Sequence, residues 1–365
     1  MDRVNRGKYR FYEIISPFIG FFASLVVLVI IVSIIGENPL KAFAAIYKLS
    51  MSTSSRLATG LSISIPLFFS GIAVAMAFRA GVFNIGVEGQ YYIGGLIGAM
   101  AGIYLHMPRF LHIPTVVICA MIGGAIWAFI PAVLKVTKGV HEVITTIMFN
   151  NIALALVNYL VNGPLSGIEE LSLEAQTQRI QETALFGRLN PFFRAIGWNV
   201  PDHVYLDYSL IIAIIMGVFV WFFLFRMRYG FEIRAVGTSS EVSSYAGIRV
   251  KRVQMGAFLL SGALGGLIGL QEIFAIRGFY TYEIASGLGF DGIAIALIGK
   301  NSPIGVVFSA ILFAFLKQSG YGLQLYTSVP NSVIYVITGL MIIFIVVINQ
   351  IMSTYVKALR KKEAA

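Results

Sequence analysis

The sequence predicts an all-α polytopic membrane protein, and three observations carry that reading. Of 365 residues, 58% are hydrophobic and 12% charged, with a mean hydropathy of +0.83; an ordinary soluble domain has about 45–50% apolar and about 25% charged residues. Apolar runs long enough to cross a bilayer recur along the chain. The basic residues gather in alternate loops, as retention on the cytoplasmic side requires.

Ten candidate spans follow, near 17–36, 61–79, 85–105, 113–134, 143–162, 207–226, 255–276, 284–300, 303–320 and 333–352. At about 20 residues each they use most of the chain and leave no room for a large soluble catalytic domain, so residues 1–365 read as one transmembrane domain. Arg3, Arg6, Lys8 and Arg10 precede the first run like the opening of a signal peptide. That run is long enough to span and lacks a small-residue cleavage site, which predicts an uncleaved first helix. With both termini cytoplasmic, 18 of the 27 Lys and Arg fall inside, 8 outside, and Lys317 lies in the ninth span. The net charge of +10 is thereby assigned to anionic inner-leaflet lipid rather than nucleic acid.

Metal and redox chemistry have little support. Cys119 is the single cysteine, and His106, His112, His141 and His203 are scattered without ligand spacing. No phosphate-binding G-x-x-x-x-G-K-[ST] loop, zinc H-E-x-x-H helix or recognisable nucleophile–base pair is present. The expected protein is not an enzyme, and an ion gradient or another chain must power it.

Two loops exceed what a turn needs. The outer one, about 163–206, contains Glu169, Glu170, Glu174 and Glu182, and its Ser172 to Leu185 stretch can form an amphipathic surface helix. The inner one, about 227–254, holds a short helix from Ser239 to Ala246, with Ser239 or Ser240 as N-cap and Gly237 and Gly247 at its ends. Solvated connection is the plain alternative for both, although a helix so bracketed is a surface a partner can grip.

The halves show an internal repeat. Ser70-Gly71 answers Ser261-Gly262, Arg79 and Gly81 answer Arg277-Gly278, and Ile113-Pro114 answers Ser302-Pro303. Matched spans are five helices apart and cross in opposite senses, an inverted repeat of the kind found in transport proteins. Gly94, Gly98 and Gly102, and Gly262, Gly266 and Gly269, allow close helix packing.

Polar residues inside the spans are the candidate site. They are Asn84, Glu88 and Gln90 at the third span, Glu142, Thr145, Thr146, Asn150 and Asn151 in the fifth, Asp291 in the eighth and Lys317 in the ninth. Such groups are expensive in lipid and face a partner or a watery path. Glu142, Thr146, Asn150 and Ala153 share one helical stripe, which reads either as an interhelical tie or as a path lining. Amides and hydroxyls beside Phe149 suit a neutral, polyol-like solute.

FRAGVFNIGVEGQ, from Phe78 to Gln90, resembles the second-to-third-helix signature of inner-membrane permeases of ATP-binding-cassette importers for branched-chain amino acids, sugars and nucleosides. KGVHEVITTIMFNN (138–151), FEIRAVGTSSEVSSYAGIRVKR (231–252) and GFDGIAIALIGKNSPIG (289–305) are similar to that family's fifth helix, cytoplasmic coupling loop and eighth-to-ninth-helix junction. The likeness covers 78–305 in family order and looks closest to the nucleoside branch. Ser243-Ser244 departs from the small alanines common there.

The resemblance implies a ten-helix permease half in a bacterial cytoplasmic (inner) membrane. Its implied partners are a second permease, a homologue rather than a second copy, an ATPase subunit that holds the ATP and magnesium, and an extracytoplasmic substrate-binding protein; this chain itself binds no cofactor. Ser239, Ser240, Glu241, Ser244, Tyr245, Ala246 and Gly247 become the ATPase coupling loop, with Glu241 and Tyr245 as contacts. Asn84, Glu88, Gln90, Glu142, Thr146, Asn150 and Asp291 become path or gate residues, with Arg79 as partner of Glu88. A simple sugar is the alternative solute. An ion-coupled transporter using Glu88, Glu142 or Asp291, and a scaffold without a path, are the competing classes.

Overall fold

The computed structural model describes residues 26–167, 175–281 and 287–323 continuously, and separate helical positions within 19–23 and 336–356. Arg3, Arg6, Lys8 and Arg10, Glu169, Glu170 and Glu174, Lys357, Arg360, Lys361 and Lys362, and half of the tenth span lie outside the described residues.

The described chain is helical through most of its apolar runs. In order the helices are α1 (Val26–Ile34), α2 (Pro39–Ser50), α3 (Ser54–Arg79), α4 (Val87–Tyr104), α5 (Arg109–Val133), α6 (Glu142–Asn162), α7 (Asn190–Ala195), α8 (Tyr208–Arg226), α9 (Arg228–Thr238), α10 (Ser240–Tyr245), α11 (Val250–Gly265), α12 (Leu288–Ile298) and α13 (Pro303–Leu323). A π-helical turn, Leu134–Lys138, extends α5, and another, Glu272–Arg277, follows α11. Five of these are long and apolar enough to cross a membrane, six if α1 and α2 count as one broken span.

Several elements depart from the hydropathy reading. The seventh span is not one helix: α11 ends at Gly265, and a turn precedes the π-helical segment. The eighth is only the 11 residues of α12. Ser172 to Leu185 is not a helix over its described part, 175–185; it pairs as extended chain with the segment after the π-turn, through Thr177 N–H to the Tyr280 carbonyl (2.9 Å) and Ile180 N–H to that of Gly278 (2.8 Å). Helices α2 and α9 were not anticipated, because mixed polar and apolar surface helices leave little trace in a hydropathy average.

The chain divides into two compact units, one from residues 1–57 and 315–365 and one from 58–314. In the first, α2 turns 117° from α1, started by Asn38, whose side chain accepts from Leu40 N–H ahead of the Pro39 ring. Leu28, Val32, Ala42, Ala45 and Leu49 close this corner, and Gln318 donates to the carbonyls of Leu49 (3.2 Å) and Arg56 (3.0 Å).

In the second unit α4 is buried on nearly every side. A helix can be wrapped this closely only if backbones touch, and the glycines permit that: a Cβ at Gly94 would stand 2.5 Å from Gly266 Cα, and one at Gly124 2.1 Å from the Gly262 carbonyl oxygen. Helices α3 and α11 run in opposite senses. Ser261 donates to the Ala73 carbonyl (2.6 Å), and ten residues further along Gln271 donates back to Ser62 (3.0 Å). Gly71 of α3 packs on Ile295 of α12 and Val306 of α13, while Gly262 of α11 packs on Gly124 and Ala128 of α5. The matched helices α3 and α11 thus each pack against helices of the other half.

Backbone at Gly124 cannot yield as a side chain would. Gly124→Ala is expected to cost about 1–3 kcal/mol, read as a lower thermal unfolding midpoint of the purified protein in detergent.

Candidate functional site

Two helices of the second unit begin inside the bundle, where the free N–H groups of a first turn find no water and must find side chains. Glu88 of α4 serves the start of α12. One carboxylate oxygen accepts from Gly287 N–H (2.6 Å) and the other from Gly289 N–H (2.6 Å), with the Tyr92 hydroxyl as third donor (2.7 Å). An anion at a helix N-terminus also meets the favourable end of the helix dipole. Gly289 is required by the closeness: a Cβ there would lie 2.5 Å from the Glu88 nitrogen.

The start of α4 is held in turn by Asn150 of α6. Its side-chain oxygen accepts from Gly89 N–H (2.9 Å), and its amide donates to the Ile85 carbonyl (3.0 Å). Beside it Asn84 donates to Gln90 (2.9 Å) and Ser261 (2.8 Å), accepts from Gln90 (3.1 Å), and its oxygen caps Gly86 N–H (3.0 Å). Asn84, Glu88, Gln90, Thr146 and Asn150 are all buried. Thr146 bonds only within its own helix, to the Val143 carbonyl (3.2 Å). Asp291 occupies the first turn of α12 and is half-buried. At the foot of α6, Glu142 is ion-paired with Lys135 and accepts weakly from Phe83 N–H.

Asn84, Glu88, Gln90 and Asn150 thus lie buried around the start of α4, while one expected connection differs. Arg79 is not the partner of Glu88: its Nε donates to the Asn301 carbonyl (2.7 Å), and its guanidinium lies over the Phe225 ring (5.7 Å). The Glu142–Thr146–Asn150–Ala153 stripe faces inward to the bundle, and Phe149 packs its ring edge-on to Trp127. Tyr92 and Ser261 were missed as site members, although Tyr92 lies one turn after Glu88 and Ser261 had marked the repeat. Asp207 and Gln271 were missed entirely. Asp207 caps α8 through Ser209 N–H (2.8 Å) and accepts from Gln271 (3.1 Å).

The short helix of the 227–254 loop forms as expected. Ser239 is its N-cap, accepting from Val242 N–H (3.3 Å), and Gly247 ends it in the left-handed region (φ 81°). Ser240, Glu241, Ser244, Ala246 and Gly247 are exposed; Tyr245 is 87% exposed and Val242 66%. Beneath it α9 is wedged into the bundle. A Cβ at Gly237 would lie 2.0 Å from the Arg79 carbonyl oxygen, one at Gly230 2.0 Å from that of Phe223, and Tyr229 donates to the Arg252 carbonyl (3.2 Å). The exposed helix is therefore joined through α9 to the ends of α3, α8 and α11. Among the described residues no group of His, Cys, Asp and Glu could hold a metal ion.

The family model described as "Branched-chain amino acid transport system / permease component" matches residues 56–346. The chain belongs to this permease family. The permease is 34% identical over 342 residues to the guanosine ABC transporter permease protein NupP of Bacillus subtilis, covering 92% of this chain and 94% of the relative. It is 33% identical over 360 residues to the nucleoside ABC transporter permease protein NupB of Lactococcus lactis, covering 96% of each. To the glucose ABC transporter permease protein TsgB13 of Haloferax volcanii it is 30% identical, covering 91% of this chain and 86% of the relative. No solved structure matches. The permease is a multi-pass protein of the cytoplasmic membrane.

Asn150→Ala leaves Gly89 N–H and the Ile85 carbonyl without partners, at about 1–3 kcal/mol each. Tyr92→Phe removes only one of three donors to Glu88. Thermal unfolding in detergent is expected to fall clearly for the first and by less for the second.

Proposed function

We propose that this permease is the membrane-spanning subunit of an ATP-binding-cassette importer and forms half of the route by which nucleosides enter the cell. The observation that carries this reading is the capped, exposed helix α10 joined by α9 to three bundle helices, in a chain 33–34% identical to a guanosine and a nucleoside permease over more than nine-tenths of its length. The other half is a homologous second permease, a reading supported by the similarity of this chain to two guanosine ABC transporter permease proteins of B. subtilis, NupP and NupQ. ATP and magnesium belong to a separate ATPase subunit, an extracytoplasmic binding protein delivers the solute, and this chain performs no catalysis of its own.

Mechanism follows from the linkage. When the ATPase closes on ATP, α10 moves with the surface it is seated in, and Val242, Tyr245 and Glu241 are its contacts. Because Gly237 and Gly230 leave no gap between α9 and the ends of α3 and α8, the displacement passes to those helices as a rigid shift. Glu88 and Asn150 keep the starts of α12 and α4 attached while the surrounding helices tilt, so they act by positioning. The glucose-permease relative supports a simple sugar as the second reading of the solute.

Uptake of labelled guanosine by cells carrying this permease with its neighbouring components is expected to vanish with a catalytically dead ATPase and to resist excess pentose or glucose. Uptake that survives the dead ATPase and collapses with an ionophore would overturn the reading. Gly237→Val is expected to leave ATP hydrolysis by the assembled complex and lower uptake at least tenfold, measured side by side in proteoliposomes.

A further inference from the structure

Helix α6 buries Glu142, Thr145, Thr146, Asn150, Ala153, Val157 and Val161 against the rest of the molecule, half-buries Val143, Phe149 and Leu160, and leaves its other residues exposed. Three of the exposed residues are asparagines: Asn151, Asn158 and Asn162. At 3.6 residues per turn they fall within about 40° of one another and about 100° from the buried stripe. Ile152 and Leu156 hold the opposite exposed side, as lipid requires.

Amides aimed at hydrocarbon are costly, since lipid neither donates nor accepts. Asn151 stands near the middle of the 21-residue helix, so it cannot reach a headgroup. Its amide donates back to the Ile147 carbonyl (3.3 Å), and Asn162 donates to Asn158. The Asn151 side-chain oxygen and the Asn158 amide N–H groups have no partner among the described residues. This stripe presents donors and acceptors without charge over about 16 Å, while toward the Glu142 end the same side becomes apolar with Ile144 and Ile147.

We propose that Asn151, Asn158 and Asn162 line the outer half of the solute route and hydrogen-bond the ribose hydroxyls and base edges of a passing nucleoside. The inference rests on the importer reading above and names the residues that contact its solute. Neutral amides suit a neutral solute that carries several donors and acceptors, and a ladder of them lets each bond be exchanged for the next rather than broken outright.

The test uses the assembled transporter in proteoliposomes with Cys119, the single cysteine of this chain, replaced by serine. Asn151→Cys and Asn158→Cys are expected to react with a membrane-impermeant methanethiosulfonate at least tenfold faster than Ile152→Cys and Leu156→Cys, and guanosine is expected to slow them. Asn151→Ala is expected to lower guanosine uptake about tenfold below saturation, the effect of one lost hydrogen bond to solute, with Asn151→Gln in between. Equal, slow labelling at all four positions, with guanosine uptake by the parent intact, overturns the inference alone. So does fast labelling that guanosine leaves unchanged in that same active parent. Protection by glucose, in a parent that carries glucose and no nucleoside, supports the amide route and overturns the nucleoside reading.

Discussion

The structure depends on two helix starts set within the bundle, a half-buried one at Gly287 to Gly289 and a nearly fully buried one at Ile85 to Gly89. A first turn in water is satisfied by solvent; here it must be satisfied by side chains carried on other helices. Glu88 and Asn150 do this, and each therefore ties two elements far apart in sequence. Glu88 sits on α4 and holds α12, while Asn150 sits on α6 and holds α4. The chain α6 to α4 to α12 is a single hydrogen-bonded sequence, and its hydrophobic surroundings strengthen every link.

Around that chain the packing is set by glycine. Gly94, Gly124, Gly262 and Gly266 bring α4, α5 and α11 to backbone contact, which makes this part of the unit stiff. The same device recurs in the 227–254 segment, where Gly237 and Gly230 seat α9 against the ends of α3 and α8. A push on α10 therefore has few soft contacts in which to dissipate. The unit is thus stiff where α9 seats against α3 and α8 and held by side chains at the starts of α4 and α12.

How much of this was legible in the sequence depended on how local its cause is. The membrane class, most spans and the α10 cap follow from composition, run length and neighbouring residues, so they were readable. The break after Gly265 was not, because averaging over an apolar run hides a turn whose backbone N–H groups at Gly266, Leu267 and Ile268 bond back to the carbonyls of Gly262, Leu264 and Gly265. Helix α9 has its inward face in Gly230, Ile233 and Val236, a period too sparse in a basic loop to stand out. The third span's Glu88 and Gln90 were marked as polar intruders, yet their partners lie up to 201 residues away. Asn150 and Asn151 were both found, while which of them faces inward is decided only by the neighbours of α6.

The most direct test of the central claim is amide hydrogen exchange of the purified permease in lipid nanodiscs, compared between the parent and Glu88→Ala. If the Glu88 carboxylate holds the start of α12, exchange should accelerate in the peptide covering residues 287–291 and stay unchanged in the middle of α5. Identical exchange over 287–291 in the two proteins would contradict the account.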